Sequence, residues 1–303
     1  MKRKRQLPLR LRSWFVRALR VVVVYAALIL LAVFLLAPFA WMVLVSLHPS
    51  KAPIPTMQTL WPQQCELIGF NPTRCWEQFH WENYAFVLSM PDIPVARFFF
   101  NSIVVTTVVV AGQLLVASLA AYGFARLTFK GRDFIFLMFL LSMMFAGPVT
   151  QIPVYLMVRW FGWLNTYAAL IVPGLGSAFS VFLFRQFFAA IPKELEEAAR
   201  MDGAGDLRIY AQVIMPLSKA ALATAGAFSF FAVWTDFFWP LLATNSMEMR
   251  TLEVGLSVFK NSYGATNWPL QMTAAVVVML PLLVAFLFTQ RYFTKGIMLG
   301  GLK

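Results

Sequence analysis

The chain is poor in charge, and above all in acidic residues. Only 13% of its 303 residues are charged, with 13 Asp or Glu against 25 Lys or Arg. Soluble domains are about 25% charged and about 45–50% apolar, whereas this chain is 60% hydrophobic. The shortage of charge excludes an ordinary soluble domain, and the sequence predicts an all-α integral membrane protein.

Three further absences exclude kinds of chemistry. The chain has two His and two Cys, and Cys65, Cys75 and His80 together are one ligand short of a closed zinc site, so we expect no metal. It has no Gly-x-x-x-x-Gly-Lys-Ser/Thr loop to cradle nucleotide phosphates. It also lacks a His-Glu-x-x-His or Ser-His-Asp pattern. We therefore expect the chain not to be an enzyme by itself.

The basic residues explain the formal net charge of +12. They lie beside apolar runs and not along a surface stripe with aromatic residues, which argues against nucleic-acid binding. Residues 1–20 hold eight Lys or Arg and no acid, as expected of a basic arm against anionic membrane lipid. The apolar run behind it, residues 21–47, is longer than a signal-peptide core and has no small-residue cleavage site. It predicts a retained first transmembrane helix.

Six apolar segments reach the length of about 20 residues that a membrane-spanning helix needs. Proline and glycine interrupt the third and fourth segments, at Pro148, Pro153 and Pro173-Gly174. These interruptions are tolerated where neighbouring helices satisfy the freed backbone groups. The predicted spans are residues 21–47, 99–122, 134–158, 166–190, 216–243 and 270–293.

The connections between spans differ in basic residues, and this difference predicts the orientation. About 19 of the 25 basic residues lie on the side of the N-terminal arm, which is typical of the cytoplasmic side. Residues 123–133, 191–215 and 294–303 belong to that side. An even number of spans then places both termini in the cytoplasm, with 99–293 as a core of five further spans.

The segment 48–98 is expected to lie outside the cytoplasm, where disulfides persist. It is rich in Pro and Trp and contains Cys65 and Cys75. We expect these two cysteines to form a disulfide, although two unpaired thiols are the alternative.

The charged insert, residues 191–215, separates the fourth and fifth predicted spans. Pro192 suits the first turn of a helix, and the acidic residues that follow, Glu194, Glu196 and Glu197, suit its positive end. Gly203 suits the left-handed position that ends a helix. Asp206 is expected to cap a second short helix that runs to a break at Pro216.

The insert carries a motif spread over twenty residues. Glu197, Ala198 and Ala199 are followed by Asp202 and Gly203, and Val213-Ile214-Met215-Pro216 closes the motif at the expected offset. This spacing resembles the cytoplasmic loop of the permease subunits of binding-protein-dependent ABC importers, with Met215 in place of the usual Leu. An ordinary amphipathic connector is the alternative interpretation.

The rest of the chain from residue 83 onward is similar to the carbohydrate branch of the same family. The insert at 48–82 departs from the family pattern. The stretches that carry this resemblance are Ala120-Ala121-Tyr122, Ala125-Arg126-Leu127, Phe129-Lys130-Gly131-Arg132, Trp234 with Asp236, Trp239-Pro240-Leu241, Gln290-Arg291, Lys295-Gly296 and Gly300-Gly301-Leu302-Lys303.

The resemblance implies a type I ABC importer permease fold with six transmembrane helices in the bacterial inner membrane. Its implied partners are a second permease subunit, two ATP-binding cassette subunits that bind the ATP and Mg, and an extracytoplasmic substrate-binding protein. Three groups of residues take roles by this resemblance. The residues that would dock on an ATPase subunit are Glu197, Ala198, Ala199, Asp202 and Gly203. Those that would reach between the ATPase subunits are Gly300, Gly301 and Lys303. Those that would probe the sugar pocket of the binding protein are Asn261, Ser262, Tyr263, Gly264 and Asn267.

Two polar residues inside predicted spans leave alternatives open. Asp236 is an acid in an apolar span, and such a residue marks a functional site by default; satisfaction by a neighbouring helix is the other interpretation. Gln151 is ambiguous in the same way.

The implied function is import of a sugar or oligosaccharide, with glycerol phosphate or a polyamine as the alternative solute. A secondary transporter is a distant alternative, because it would more often have inverted repeats.

We predict that peptide mapping of the protein without reduction recovers Cys65 and Cys75 in one linked peptide. In the chain-entropy model, closing a loop of about ten residues stabilises the fold by at most ~3 kcal/mol. Quantitative alkylation of both thiols in protein from its native membrane would contradict the disulfide.

Overall fold

The computed structural model is mostly helical in the part of the chain that it describes, and that part contains no strand. That part is residues 9–50, 52–53, 79–90, 92–145, 147–263 and 267–300, with the side chains of 9–18, 259–263 and 291–300 left out. Cys65, Cys75, Gly264 and the stretch Gly301 to Lys303 lie outside the described residues.

From residue 82 onward, the described helices follow one another with short connections. Short 3-10 turns occupy Val172–Leu175 and Met247–Met249, and a π-helix occupies Tyr210–Ile214. The α-helices are α1 (Leu9–Ser46), α2 (Glu82–Leu88), α3 (Val95–Arg126), α4 (Arg132–Ser142), α5 (Gly147–Trp160), α6 (Tyr167–Ile171), α7 (Ala178–Ala190), α8 (Glu194–Met201), α9 (Asp206–Ile209), α10 (Met215–Leu217), α11 (Lys219–Trp234), α12 (Phe238–Ala243), α13 (Leu252–Tyr263) and α14 (Trp268–Gly300).

Four helical segments among the described residues are long and apolar enough to cross a membrane. They correspond to the first, second, fourth and sixth predicted spans. Two further pairs of helices pass the same test only together, because each is bent. The four segments are Leu19–Ser46, Val95–Arg126, Tyr167–Ala190 and Trp268–Gln290; the bent pairs are Arg132–Ser142 with Gly147–Trp160, at 103°, and Asp206–Leu217 with Lys219–Trp234, at 80°.

Proline lies at or beside the interruption of two spans. The third span is interrupted before Gly147, and Pro148 lies in the first turn of α5, where its missing N–H costs little. Pro153 lies inside the same helix. Pro173-Gly174 falls in the 3-10 turn that divides the fourth span. The carbonyl of Gly174 accepts a hydrogen bond of 2.7 Å from Gln113 Nε2. A neighbouring helix thus satisfies a freed backbone group, as the sequence predicted.

The fifth span differs from the predicted segment 216–243. The chain bends at Ser218 and not at Pro216, which lies in the first turn of α10, where its missing N–H costs little. The helix then ends at Trp234, and α12 is a separate helix. The described end of the segment 48–98 is also more helical than predicted, because it contains α2 and α3 begins before residue 99.

The chain divides into two compact units. The first comprises residues 1–83 and 266–276. Its polar centre is the carbonyl oxygen of Ser46, which accepts hydrogen bonds from Asn83 Nδ2 at 2.8 Å and from Thr273 Oγ1 at 3.1 Å. Residues 19–40 of α1 are exposed along their whole length. Of residues 19–46 of α1, only those at the end, Val45 and Ser46, are buried.

The second unit comprises residues 84–265 and 277–303 and is built around α3. Buried side chains occur on α3 from Val95 to Phe124, and α7 and α11 pack against it. One apolar cluster gathers Phe184 and Phe188 of α7 against the end of α3. A second cluster gathers Trp239 with residues of α3 and α6. The charged insert packs against the first cluster through Ile209 and Ile214.

We predict that Gly255→Val destabilises the protein while Gly123→Ala does not. A Cβ at Gly255 would lie 2.0 Å from Cδ2 of the fully buried Phe98 ring, whereas one at Gly123 would meet nothing within 4 Å. Overpacking of this kind typically costs about 1–3 kcal/mol, and alanine within a helix is favoured over glycine. Thermal unfolding of the detergent-solubilised variants measures the difference. Equal midpoints for Gly255→Val and the parent chain would contradict it.

Candidate functional site

The first arm of the charged insert is α8, whose end is fixed by Gly203. The φ of Gly203 is +79°, as the sequence predicted. The N–H of Gly203 donates to the carbonyl of Arg200 at 3.0 Å, and the N–H of Ala204 donates to the carbonyl of Ala199 at 2.9 Å. This pair of bonds is the Schellman arrangement, which needs a left-handed residue. The elbow therefore depends on glycine at this position.

The second arm differs from the predicted capped helix. Gly205, and not Asp206, is the N-cap of α9, and no side chain caps it. The Asp206 carboxylate instead accepts a hydrogen bond from the guanidinium of Arg200 in the first arm. The prediction of an Asp206 cap was wrong because a cation lay close enough to draw the carboxylate away. This half-exposed ion pair joins the two arms of the elbow.

The outer face of the insert carries exposed apolar side chains among the charges. Met201 is 90% exposed and Leu207 is 75% exposed. Glu197 and Ala198 are exposed beside them, whereas Ala199 is partly buried. An apolar patch with a charged rim is typical of a surface that another protein covers. The motif residues Glu197, Ala198, Asp202 and Gly203 are thus brought together on one accessible elbow.

The inner face of α8 is fixed by an ion pair that the sequence did not indicate. Glu196 Oε1 lies 2.8 Å from Arg126 Nε at the end of α3, and their side chains are only 9% and 3% exposed. The N–H is not aligned for a hydrogen bond, so the contact is an ion pair. Removing one member of such a buried pair costs about 3–5 kcal/mol, since the other charge is left buried and unpaired.

Arg126 makes two more contacts. Its guanidinium donates hydrogen bonds to the carbonyls of Phe188 and Ile191, where α7 ends. A cation there satisfies carbonyls that have no partner within their own helix. The sequence placed Arg126 in a family motif but gave no sign of these partners, because they are 62 to 70 residues away along the chain.

The second arm is also attached to α3. Tyr210 is the first residue of the π-helix and is buried. Its hydroxyl lies 2.7 Å from Ser118 Oγ, and its ring lies 5.5 Å from that of Tyr122. A single π-turn within a helix is frequent at functional sites. Both arms of the charged insert therefore contact the same helix, α3.

The two polar residues considered for a pathway have different surroundings. The Asp236 carboxylate accepts a hydrogen bond of 3.3 Å from the N–H of Trp239 in the first turn of α12. This bond is local, because Trp239 is only three residues further along the chain, so neither interpretation of Asp236 is decided by it. The side-chain oxygen of Gln151 in α5 is buried without a hydrogen-bond partner among the described residues.

The residues expected to probe a binding protein are more ordered than the sequence suggested. Asn261, Ser262 and Tyr263 form the last turn of α13 and not an irregular loop. Asn267 is buried, and its Oδ1 accepts a hydrogen bond of 3.4 Å from the N–H of Leu270 at the start of α14. Asn267 thus acts locally as a helix cap. Of the expected ATPase-contacting tail, Gly300 ends α14.

Comparison with known proteins gives a family and a fold. A family model described as the binding-protein-dependent transport system inner membrane component matches residues 113–298. A trehalose/maltose transport system permease protein of Thermococcus litoralis is 33% identical over 279 residues, which cover 91% of this chain and 94% of that protein. An sn-glycerol-3-phosphate transport system permease protein of Brucella abortus is 35% identical over 206 residues, covering 68% and 73%.

One solved structure extends the comparison to nearly the whole chain. It is a chain of a bacterial ABC transporter involved in the import of the acidic polysaccharide alginate. The TM-score is 0.72 with 22% sequence identity, and the alignment covers 96% of this chain and 100% of that chain. The likeness establishes the fold.

Proposed function

The chain belongs to the family of binding-protein-dependent transport system inner membrane components, and we propose that it forms half of a sugar-import channel. In this role it is a permease subunit of an ATP-driven importer for a sugar or oligosaccharide. ATP hydrolysis resides in partner subunits, because this sequence has no phosphate-binding loop.

The geometry of the charged insert is the observation that carries this proposal. An elbow with an exposed apolar tip, at Met201 and Leu207, is built on a buried ion pair beneath it. A docking surface of this kind transmits force only if its base is fixed. The motif residues Glu197, Ala198, Ala199, Asp202 and Gly203 then contact an ATP-binding cassette subunit. The tail at Gly300, Gly301 and Lys303 reaches between the two ATPase subunits.

The proposed topology has six spans, with both termini in the cytoplasm and the protein in the bacterial inner membrane. Each of the two bent helix pairs counts as one span in this arrangement. The basic residues of the N-terminal arm and of the connections on its side support the orientation. The exposed length of α1, residues 19–40, faces lipid and a second permease subunit.

The basic residues of the spans bear on whether the solute is a sugar or glycerol phosphate. Across 98–125, 133–158, 167–184, 220–243 and 269–290 the chain has no Lys or Arg. A phosphate is typically held by Arg or Lys, and these inner stretches of the spans hold neither. The arginines of the spanning helices, such as Arg97, Arg126 and Arg185, lie nearer to the helix ends. Hydroxyl groups of a sugar need only neutral donors and acceptors. A sugar is therefore favoured over glycerol phosphate, although relatives of both kinds are similar to this chain.

The solute is tested by reconstituting the intact complex with its binding protein in liposomes. We expect oligosaccharide-loaded binding protein to stimulate ATP hydrolysis and uptake, and glycerol 3-phosphate to do neither. The reverse preference would contradict the sugar assignment.

Deleting residues 262–266 in the same assay tests whether the end of α13 and the following residues engage the binding protein. Parental uptake across a range of sugar concentrations would show that they are only a connector.

We predict that Gly203→Val abolishes coupled transport, whereas Gly205→Val is tolerated. A left-handed backbone costs a residue with a Cβ roughly 1–2 kcal/mol, and more for a β-branched one, so the elbow should re-form in another shape. Gly205 is a matched control two residues away, because its φ is −78° and an added Cβ meets nothing within 4 Å. The measurement is ATPase activity stimulated by the binding protein. Normal stimulation in the Gly203→Val complex would contradict a coupling role.

A further inference from the structure

The charged insert is anchored to a helix that it does not adjoin in sequence. It connects α7 to α11, yet its two buried polar anchors, Glu196 and Tyr210, both contact α3. Their partners Arg126 and Ser118 are eight residues apart, and Tyr122 lies midway between them. Residues four apart lie on one face of a helix. One face of α3 therefore receives both arms of the elbow.

The ends of α3 and α7 are clasped by two arginines, each extending to the other helix. Arg126 of α3 donates to the carbonyls of Phe188 and Ile191 at the end of α7. Arg185 of α7 donates to the carbonyl of Phe124 near the end of α3, at 3.4 Å. The Arg185 guanidinium also lies 4.0 Å from the centre of the Phe136 ring, in cation–π contact. The two helix ends are thus fixed to each other from both sides.

We propose that Arg126 is a positioning residue that makes the charged insert, α3 and α7 move as one rigid body during transport. The proposal rests on the function proposed above, because it concerns how movement of the docked elbow reaches the spans. In this arrangement α3 receives the displacement directly. The chain segment between α7 and α8 is then not a hinge.

The burial of the anchors supports a rigid body over a hinge. If α8 pivoted about Ile191 to Lys193 in each cycle, Arg126 and Glu196 would separate inside a site where neither side chain is more than 9% exposed. Each separation would leave a buried charge unpaired, which is strongly unfavourable. The same pivot would break the contact of Tyr210 with Ser118, which is also buried. A movement that keeps all these contacts intact meets no such penalty.

The first test measures solute molecules transported per ATP hydrolysed by the reconstituted complex. We expect Arg126→Gln and Glu196→Gln each to lower this ratio on the order of tenfold, the size of a typical coupling between sites. Arg126→Lys should give an intermediate ratio, because lysine keeps the charge but lacks the fork that bridges two carbonyls and Glu196. Arg132→Gln is the matched control, since Arg132 pairs with an exposed carboxylate, that of Asp133, near the same end of α3.

The second test remains informative if the neutral variants fail to fold. Cysteines replace Arg126 and Glu196 in a chain whose Cys65 and Cys75 are changed to serine. A bifunctional methanethiosulfonate reagent then links the two cysteines in the assembled complex. If the insert, α3 and α7 move as a rigid body, linking the two cysteines should raise the number of solute molecules transported per ATP hydrolysed above that of the unlinked double-cysteine complex. Arrest of transport by the link, or an unchanged ratio, would overturn the proposal.

The parent complex separates this proposal from the one on which it rests. If the parent complex shows no uptake driven by a sugar-binding protein, the proposed function fails. If the parent transports sugar and Arg126→Gln has the parental ratio of solute to ATP, only the rigid-body proposal fails.

Discussion

The guanidinium of Arg126 is the group on whose contacts the architecture around the charged insert depends. It holds the end of α3 to the last carbonyls of α7 and, through Glu196, to the first turn of α8. Three helices that are separate in sequence thus meet at one buried cation. A single planar group can do this because guanidinium presents five donors in a fixed fork. A lysine at the same place would offer a point charge to only part of this set.

In the spans, too, backbone carbonyls without a helical partner accept hydrogen bonds from side chains of other helices. Where a span is interrupted, side chains of neighbouring helices bond to its freed carbonyls, since no water is present to do so. Gln113 donates to Gly174 in the broken fourth span, and Trp239 Nε1 donates to the carbonyl of Ala169 at 2.9 Å. Trp234 Nε1 donates to the carbonyl of Val278 at 3.1 Å. Trp234 and Trp239 thus have structural partners within the helix bundle, whereas Phe237 and Phe238 beside them are exposed.

The helix α8 has a buried face and an exposed face. Glu196 and Glu197 are adjacent in α8, and one is buried in an ion pair while the other is exposed. Successive residues of a helix point about 100° apart, so one turn can face the protein core and a partner at once. The insert therefore has an exposed outer face and an inner face that packs on α3. The proposed coupling role needs both faces.

The sequence by itself determined the class of protein, most of the spans and the place of the charged insert with its elbow at Gly203. Composition and run length suffice for the spans, because a hydrocarbon core admits only long apolar helices. Gly203 was predictable in the same local way, since the left-handed end of a helix selects glycine. Only the tertiary structure decided that Glu196 pairs with Arg126, that Asp206 turns to Arg200 and not to its helix, and that the bend falls at Ser218. Each of these depends on a partner brought close by folding, and no pattern of neighbouring residues contains that information.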